Sequence, residues 1–341
     1  MVESLSRQAP SREQLITFYR QMQLIRRFEE AAALAYQRRK IGGFLHLYIG
    51  EEAVAVGAIA ALAPQDTIVA SYREHGHALA RGMDPKAAMA ELYGRVTGCS
   101  RGKGGSMHLF DASIGFLGGY AIVAGQMPIA VGLGLAAQMQ EQDRVNMCFF
   151  GDGAVNEGEF HEALNLAGLW KTPVVFVCEN NLYGMGTMLA RVSAVPEIYR
   201  RAEAYNIPAE RVDGMDVLAV YDAARKAVEH ARSGHGPYFI EAMTYRFRGH
   251  SMADAELYRS KEEVAQWRQR DPIPRLRAYM IEHGLATEED LNAMDAVVER
   301  IIDEAVRFAE ESPEPPPEEL WTDVYAGVSK ETHHRLGVVQ R

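Results

Sequence analysis

Apolar residues near the start of the chain recur at steps of three and four. Leu15, Phe18, Met22, Ile25 and Phe28 form one helical stripe among charged neighbours. Ser11, with Gln14 three residues later, has the spacing of a capping box and predicts the helix start. A second helix is predicted over 51–62, a short strand over 67–70, and further helix up to Val96. From Thr97 to Gly125 the periodicity stops, and eight of those 29 residues are glycine. The reading is a long loop, which in a compact domain more often serves function than mere connection.

Beyond that loop, short apolar runs alternate with amphipathic ones. Strands are predicted at 146–150, 173–178 (PVVFVC) and 238–246, and helices at 157–170 and 216–233. Strands apolar on both faces must be covered on both faces, and their alternation with helices gives parallel pairing. The predicted fold class is α/β: a doubly wound parallel sheet flanked by helices. After Ser260 the chain turns helical and polar and reaches a Pro/Glu-rich stretch, ESPEPPPEEL, read as a linker or arm. The expected division is an N-terminal helical region (1–50), an α/β domain (51–312) and a C-terminal arm (313–341).

The run Tyr120–Met139 is apolar and long enough to raise the question of a membrane span. Gln126, Pro128 and the glycines at 125, 132 and 134 interrupt it, so a buried helix of a soluble core is predicted. The N-terminal segment lacks the apolar centre of a signal peptide. With 46 acidic against 36 basic residues the net charge is −10, which argues against nucleic acid or an anionic membrane as partner. Cys99, Cys148 and Cys178 are too scattered for a disulfide framework or a thiolate metal site. A reducing cytoplasm is the expected location.

Candidate chemistry collects at strand ends. Gly151-Asp152-Gly153 directly follows a predicted strand, and ligands of parallel sheets bind beyond the carboxyl ends of the strands. An aspartate there, between glycines that admit a ligand to the backbone, suits a divalent cation. The next strand ends in Glu179-Asn180-Asn181 with Tyr183 just beyond, and Asn181 follows Asp152 by 181 − 152 = 29 positions. Mg²⁺ takes hard oxygen ligands, one or two from protein and the rest from phosphate and water. Each motif alone also reads as a plain turn; two on consecutive strands are far more specific. Arg73 offers a planar fork to a phosphate, although in isolation a surface ion pair is its simpler reading. His250, on a loop after a strand, can reach a strand-end site and donate to a phosphate or to negative charge developing on a substrate. His75, His77 and His108 are read as ordinary polar histidines, and Glu51 and Glu52 as acids favoured at a helix start.

The triplet Gly151-Asp152-Gly153 closing on Asn180-Asn181 resembles the thiamin-diphosphate signature. The runs GGFLHLYIGEEAVAVG (42–57), SYREHGHALARG (71–82), GKGGSMHLF (102–110), GDGAVNEGEFHEALNLAGLW (151–170), ENNLYGMGT (179–187) and YRFRGHSMAD (245–254) widen the likeness. From about Arg12 to Asp323 the chain is similar to the α subunits of the two-chain 2-oxo acid dehydrogenases, and most to those of the pyruvate type. That resemblance implies a thiamin-diphosphate-binding fold, with the diphosphate-binding module in this chain and helical extensions at both ends. It implies Mg²⁺ held by Asp152, Asn181 and the backbone carbonyl of Tyr183. It implies a diphosphate met by Tyr72, Arg73, Gly153, Ala154 and His250, with Ala121 and Val123 facing the aminopyrimidine and the bend of the cofactor. His46 matches a position on the substrate side, and His250, His46, Tyr72 and Arg73 are the implied catalytic group.

The implied reaction is oxidative decarboxylation of pyruvate, with acetyl transfer to the lipoyl group of a dihydrolipoyl acetyltransferase core. The implied partner is a β subunit, in an α₂β₂ heterotetramer, that supplies the carboxylate engaging the aminopyrimidine. Acetoin or a branched-chain 2-oxo acid is the alternative substrate. A Mg²⁺-dependent phosphohydrolase with Asp152 as nucleophile is the alternative outside the family, weakened because residue 154 is Ala where a second Asp is required. Tyr245–Lys261 resembles a loop phosphorylated in mitochondrial relatives, with Ser251 at the modified position, while Thr187-Met188 and Glu256-Leu257 replace the serines of the other sites. That segment is expected to be mobile and to order on cofactor binding. Asp111–Gly115 is slightly longer than the family pattern.

Overall fold

The computed structural model describes residues 10–324. Residues 1–9, and with them the start of the N-terminal segment judged to lack a signal peptide, lie outside the described residues, as does 325–341, the greater part of the expected arm.

Helix α1 (Arg12–Gln37) begins at the predicted capping box. The Ser11 side chain accepts from the Gln14 amide, and the Gln14 side chain accepts from the Ser11 amide. Its stripe of Leu15, Phe18, Met22, Ile25 and Phe28 is buried. Helix α2 (Glu52–Ile59) is buried on every side. It packs on α8 (Val217–Arg232) at Gly57, where a Cβ would stand 2.7 Å from the Val217 carbonyl oxygen.

Six strands form one parallel sheet: β1 (Thr67–Ser71), β2 (Phe116–Tyr120), β3 (Asn146–Gly151), β4 (Val174–Asn180), β7 (Ala209–Asp213) and β8 (Tyr238–Met243). Their spatial order is β2-β1-β3-β4-β8-β7, and every pairing is parallel. A separate two-residue hairpin pairs β5 (Tyr183–Gly184) with β6 (Thr187–Met188). Side chains alternate across the sheet as a period of two requires. Met147, Phe149, Val175 and Val177 join the core shared with α1, α2, α3 (His75–Arg81), α8 and α11 (Glu288–Glu311). Cys148, Phe150, Phe176 and Cys178 join the opposite core, under α5 (Gln126–Met139) and α6 (Gly158–Trp170). The doubly wound α/β expectation is met.

Two corrections concern the edges. Strand β2 lies inside the segment expected to be loop, and β7 has no counterpart in the sequence reading. Both are edge strands paired on one side only. FLGGY carries two glycines and AERVD three charges, so neither shows the apolar run that marks the four central strands. A third correction concerns α5. It starts at Gln126 and buries one face only, leaving Pro128, Ile129, Gly132 and Met139 exposed. Among the described residues no helix is long and apolar enough to cross a membrane.

Helix α4 (Pro85–Leu92) carries Glu91 into the glycine-rich segment that follows. After α9 (Lys261–Arg268), α10 (Pro272–Glu282) and α11, the chain returns along that same segment. The Val96 amide donates to the Pro313 carbonyl at 3.2 Å, and Lys103 donates to Asp323 at 2.7 Å.

Candidate active site

The chain leaves β1 toward β2 on one side and builds β3 on the other, so the winding reverses between β1 and β3. A parallel sheet opens a crevice at such a switch point, beyond the strand carboxyl ends. A cleft of about 310 Å³ lies there. The end of β1 contributes Tyr72 and Arg73, the end of β3 Asp152, Gly153 and Ala154, and the end of β4 Asn181 and Tyr183. His250 enters from the loop after β8, and Val123 from the segment before α5. Gly151 stands opposite Glu179 in the β3–β4 register, which brings the two motifs to adjacent strand ends. Two of the predicted residues are placed elsewhere. Ala121 is not part of the lining, and His46 packs behind it, its ring 4.6 Å from that of Tyr72 and 5.0 Å from that of His250.

Asp152 is 2% exposed, and its Oδ2 has no hydrogen-bond partner. Burial pushes its pKa up to about 7, against the pull of the Arg246 guanidinium. A buried carboxylate oxygen with nothing to bind is costly unless a ligand completes it. Asn181 turns its Oδ1 toward the Tyr183 amide, 3.3 Å away, and its Nδ2 toward Glu51, 3.1 Å away. Leu182, between them, holds φ +74° to make that turn. Among the described residues no cluster of three or more His, Cys, Asp or Glu is arranged to hold a metal. What the strand ends offer is one carboxylate, one carboxamide and turn carbonyls. That set fits a cation such as Mg²⁺, which completes its shell from phosphate and water.

The fixed positive charges are buried. Arg73 donates to the carbonyls of Leu47 and His250, each at 2.8 Å, and its Nε lies 3.9 Å from Glu51. The surface ion pair that is its simpler reading in isolation does not occur. Arg246, 2% exposed, reaches the carbonyl of Met185 at 3.1 Å and the Tyr258 hydroxyl at 3.0 Å. These guanidiniums, after burial itself, hold the His250 pKa down to about 4, and burial followed by Arg73 takes His46 to about 2. Both imidazoles are therefore neutral at pH 7, and the charged groups of the cleft are two arginines beside the carboxyls of Glu51, Asp152, Glu157 and Glu179, a mixture that suits an anion arriving together with a cation.

Glu51, Glu179 and Arg246 line the cleft, although the sequence reading assigned none of them to the site. It took Glu51 only as an acid favoured at a helix start and named Glu179 only as the strand-end neighbour of the Asn pair. Glu51 does not serve its helix as a cap; its side chain bonds no α2 amide. Glu179 accepts from the Tyr48 hydroxyl and from His77 at 3.0 Å. Their available signal was charge embedded in apolar surroundings: IGEEAVAV, VFVCEN and YRFR. His75, bonded to Glu29 at 3.0 Å and to the Ser106 carbonyl at 2.9 Å, and His108, bonded to the Gly119 carbonyl at 2.9 Å, are structural polar residues, as read.

The segment expected to be mobile, Tyr245–Lys261, is bonded internally. Asp254 accepts from the His250 amide at 2.6 Å and the Tyr258 hydroxyl at 2.7 Å. Arg259 donates to the carbonyls of Arg246 at 2.6 Å and Arg248 at 2.7 Å. His250 thus stands on an organised platform, with Ser251 beside it.

The family model described as dehydrogenase E1 component matches residues 20–318. The pyruvate dehydrogenase E1 component subunit alpha of Rhizobium meliloti (strain 1021) is 48% identical over 315 residues, covering 92% of this chain and 90% of that protein. The protein of the same description from Porphyra purpurea is 46% identical over 323 residues, 93% of this chain and 94% of its own length. The pyruvate dehydrogenase E1 component subunit alpha-3, chloroplastic, of Oryza sativa subsp. japonica is 44% identical over 327 residues, 93% of this chain and 77% of its own. With a sheet, a crevice and strand-end motifs in one continuous match, the chain belongs to the dehydrogenase E1 component family.

Proposed function

We propose that this chain is the α subunit of a pyruvate dehydrogenase E1 component, which decarboxylates pyruvate oxidatively with thiamin diphosphate and Mg²⁺ and passes the acetyl group to a lipoyl acceptor. The observation that carries the reading is the buried, unpartnered oxygen of Asp152 beside an oriented Asn181, in a crevice walled by two buried arginines. Asp152, Asn181 and the Tyr183 carbonyl hold the cation. Tyr72, Arg73, Gly153, Ala154 and His250 meet the diphosphate, and Val123 faces the organic part, with Ala121 two residues before it and outside the cleft lining. Thiamin diphosphate supplies the nucleophilic carbon and the electron sink of the reaction.

The residues of this chain bind, orient and exclude water. Arg73 and Arg246 are each held in place by backbone carbonyls of the protein itself, which fixes the guanidiniums at the cleft wall. His250, neutral at pH 7, turns Nδ1 toward the donor-only Arg73 guanidinium at 3.5 Å, which leaves the N–H at Nε2, and His46 and Tyr72 pack against it. The acetyl acceptor is the lipoyl group of a dihydrolipoyl acetyltransferase core, and acetyl-CoA and CO₂ are the final products. A β subunit completes the site within an α₂β₂ heterotetramer. Ile122, 73% exposed, and Val123 form an apolar edge beside the cleft that supports such a partner. The reading includes a cytoplasmic location with neither nucleic acid nor membrane as partner, in keeping with three free cysteines and a net charge of −10. It keeps the division at residues 50 and 312, with α1 sharing the core of the α/β domain.

The test combines this chain with its β partner, thiamin diphosphate, Mg²⁺ and an artificial electron acceptor. Pyruvate is expected to be turned over best, ahead of 2-oxoisovalerate and acetoin. Preference for either of the latter would reassign the substrate. Phosphate release without thiamin diphosphate would favour the phosphohydrolase instead.

A further inference from the structure

Glu51 is 1% exposed and borders the cleft, yet it belongs to neither of the motifs at the strand ends. One of its oxygens accepts from Asn181 Nδ2 at 3.1 Å. The other has no hydrogen-bond partner and lies 3.9 Å from Arg73 Nε. Across the carboxamide, Asn181 Oδ1 accepts from the Tyr183 amide at 3.3 Å. A carboxylate carries acceptors only, so an amide facing it must present its NH₂. The carbonyl oxygen is then forced to the opposite side. Rotating the group by half a turn would set acceptor against acceptor at Glu51 and donor against donor at Tyr183.

The backbone that carries Glu51 is itself tightly placed. Gly50 holds φ +105°, and a Cβ there would stand 2.3 Å from the Tyr245 carbonyl oxygen. The Gly50 amide donates to Glu52 at 3.0 Å, and Glu52 is clamped by Arg26 at 2.5 and 3.0 Å. Glu51 therefore has little freedom to follow Asn181; the constraint runs from Glu51 to the amide.

We propose that Glu51 is a positioning residue which fixes the Asn181 carboxamide so that its oxygen, and not its nitrogen, is the atom offered to a divalent cation. This rests on the cation site proposed above. Partners of this kind behind a metal ligand orient it, and their loss weakens metal affinity.

The experiment uses the assembled α and β chains with thiamin diphosphate and Mn²⁺, a probe whose binding is read by electron paramagnetic resonance without reference to turnover. Glu51→Met removes the acceptor at similar size and is expected to weaken Mn²⁺ binding about ten- to a hundred-fold. Glu51→Gln keeps an acceptor oxygen and is expected to stay close to the unsubstituted protein. Melting curves recorded without metal verify assembly, and Glu51→Ala replaces the Met variant should that fail to assemble. Unchanged Mn²⁺ affinity in the truncated variant overturns the inference. Equal weakening in the Gln and Met variants also overturns it, because charge and not acceptor geometry would then be the cause. Absence of Mn²⁺ uptake by the unsubstituted assembly is a different failure, one that removes the cation site itself.

Discussion

The segment Gly98–Gly105 and the turn Gly151–Gly153 are both glycine-rich and both lie against a buried carboxylate, yet only one is left open to a ligand. Glu91 accepts from the amides of Ser100 at 2.8 Å, Gly102 at 2.9 Å, Gly104 at 2.7 Å and Gly105 at 3.1 Å. Its glycines exist because the backbone wraps a side chain of the same protein: a Cβ at Gly98 would fall 2.3 Å from a Glu91 oxygen. Asp152, by contrast, keeps one oxygen with no partner, and a Cβ at Gly151 would meet nothing within 4 Å. Glycine density marks close approach to backbone. Whether the approaching group is internal or external is decided by which polar atoms remain unsatisfied.

The largest expected effect breaks the open side. Asp152→Asn should abolish Mg²⁺-dependent uptake of thiamin diphosphate by the assembled chains, at least a hundred-fold by calorimetry, since even partners behind a metal ligand are worth that much. The same variant should leave the metal-free protein as stable as before or more so, because a buried unpaired carboxylate is removed. Unaltered uptake would mean that Asp152 is not a cation ligand.

Next comes the closed side. Glu91→Ala leaves four amides without their acceptor and should cost about 3 kcal/mol in urea denaturation. A loss below about 1 kcal/mol would show that the glycine-rich segment holds its shape without Glu91.

Glu74 is an intermediate case, with one oxygen accepting from the Leu109 amide at 2.9 Å and the other unpaired. Burial, opposed by His75, pushes its pKa up to about 7. The folded protein therefore binds more protons than the unfolded chain between about pH 4.5 and 7, and this group's contribution to stability falls as pH rises through that window. Glu74→Gln should remove the fall, stabilising the protein by about 2 kcal/mol at pH 8 and not at all at pH 4, by thermal denaturation across pH. A gain of the same size at both pH values would rule out titration of Glu74 as its source.

The smallest contrast is between single glycines. Gly104→Ala sets a Cβ 2.4 Å from the His108 carbonyl oxygen and should cost about 2 kcal/mol. Gly151→Ala, at φ −82° and ψ 166° with open space around it, should change stability by less than about 1 kcal/mol. Equal melting temperatures for the two variants would remove the distinction.

The four central strands and the α1 stripe were readable because a buried face imposes its period on nearby positions. The pairing of Asp152 with Asn181 was readable because the two motifs end consecutive strands, and consecutive parallel strands often lie side by side. The edge strands were not, since one-sided pairing asks little of their composition. Glu51 was misread, and Arg73 taken in isolation reads as a surface ion pair, for another reason. A charged side chain looks solvated in sequence, and only the fold places Leu47 and His250 carbonyls against the one and Asn181 against the other.

By itself, the amino-acid sequence determined the α/β alternation, the two strand-end motifs and the spacing that brings them together, all consequences of local period and neighbouring strands. The tertiary structure alone decided which buried carboxylates were answered from within. That outcome depends on amides and guanidiniums arriving from distant parts of the chain, and no local pattern records their arrival.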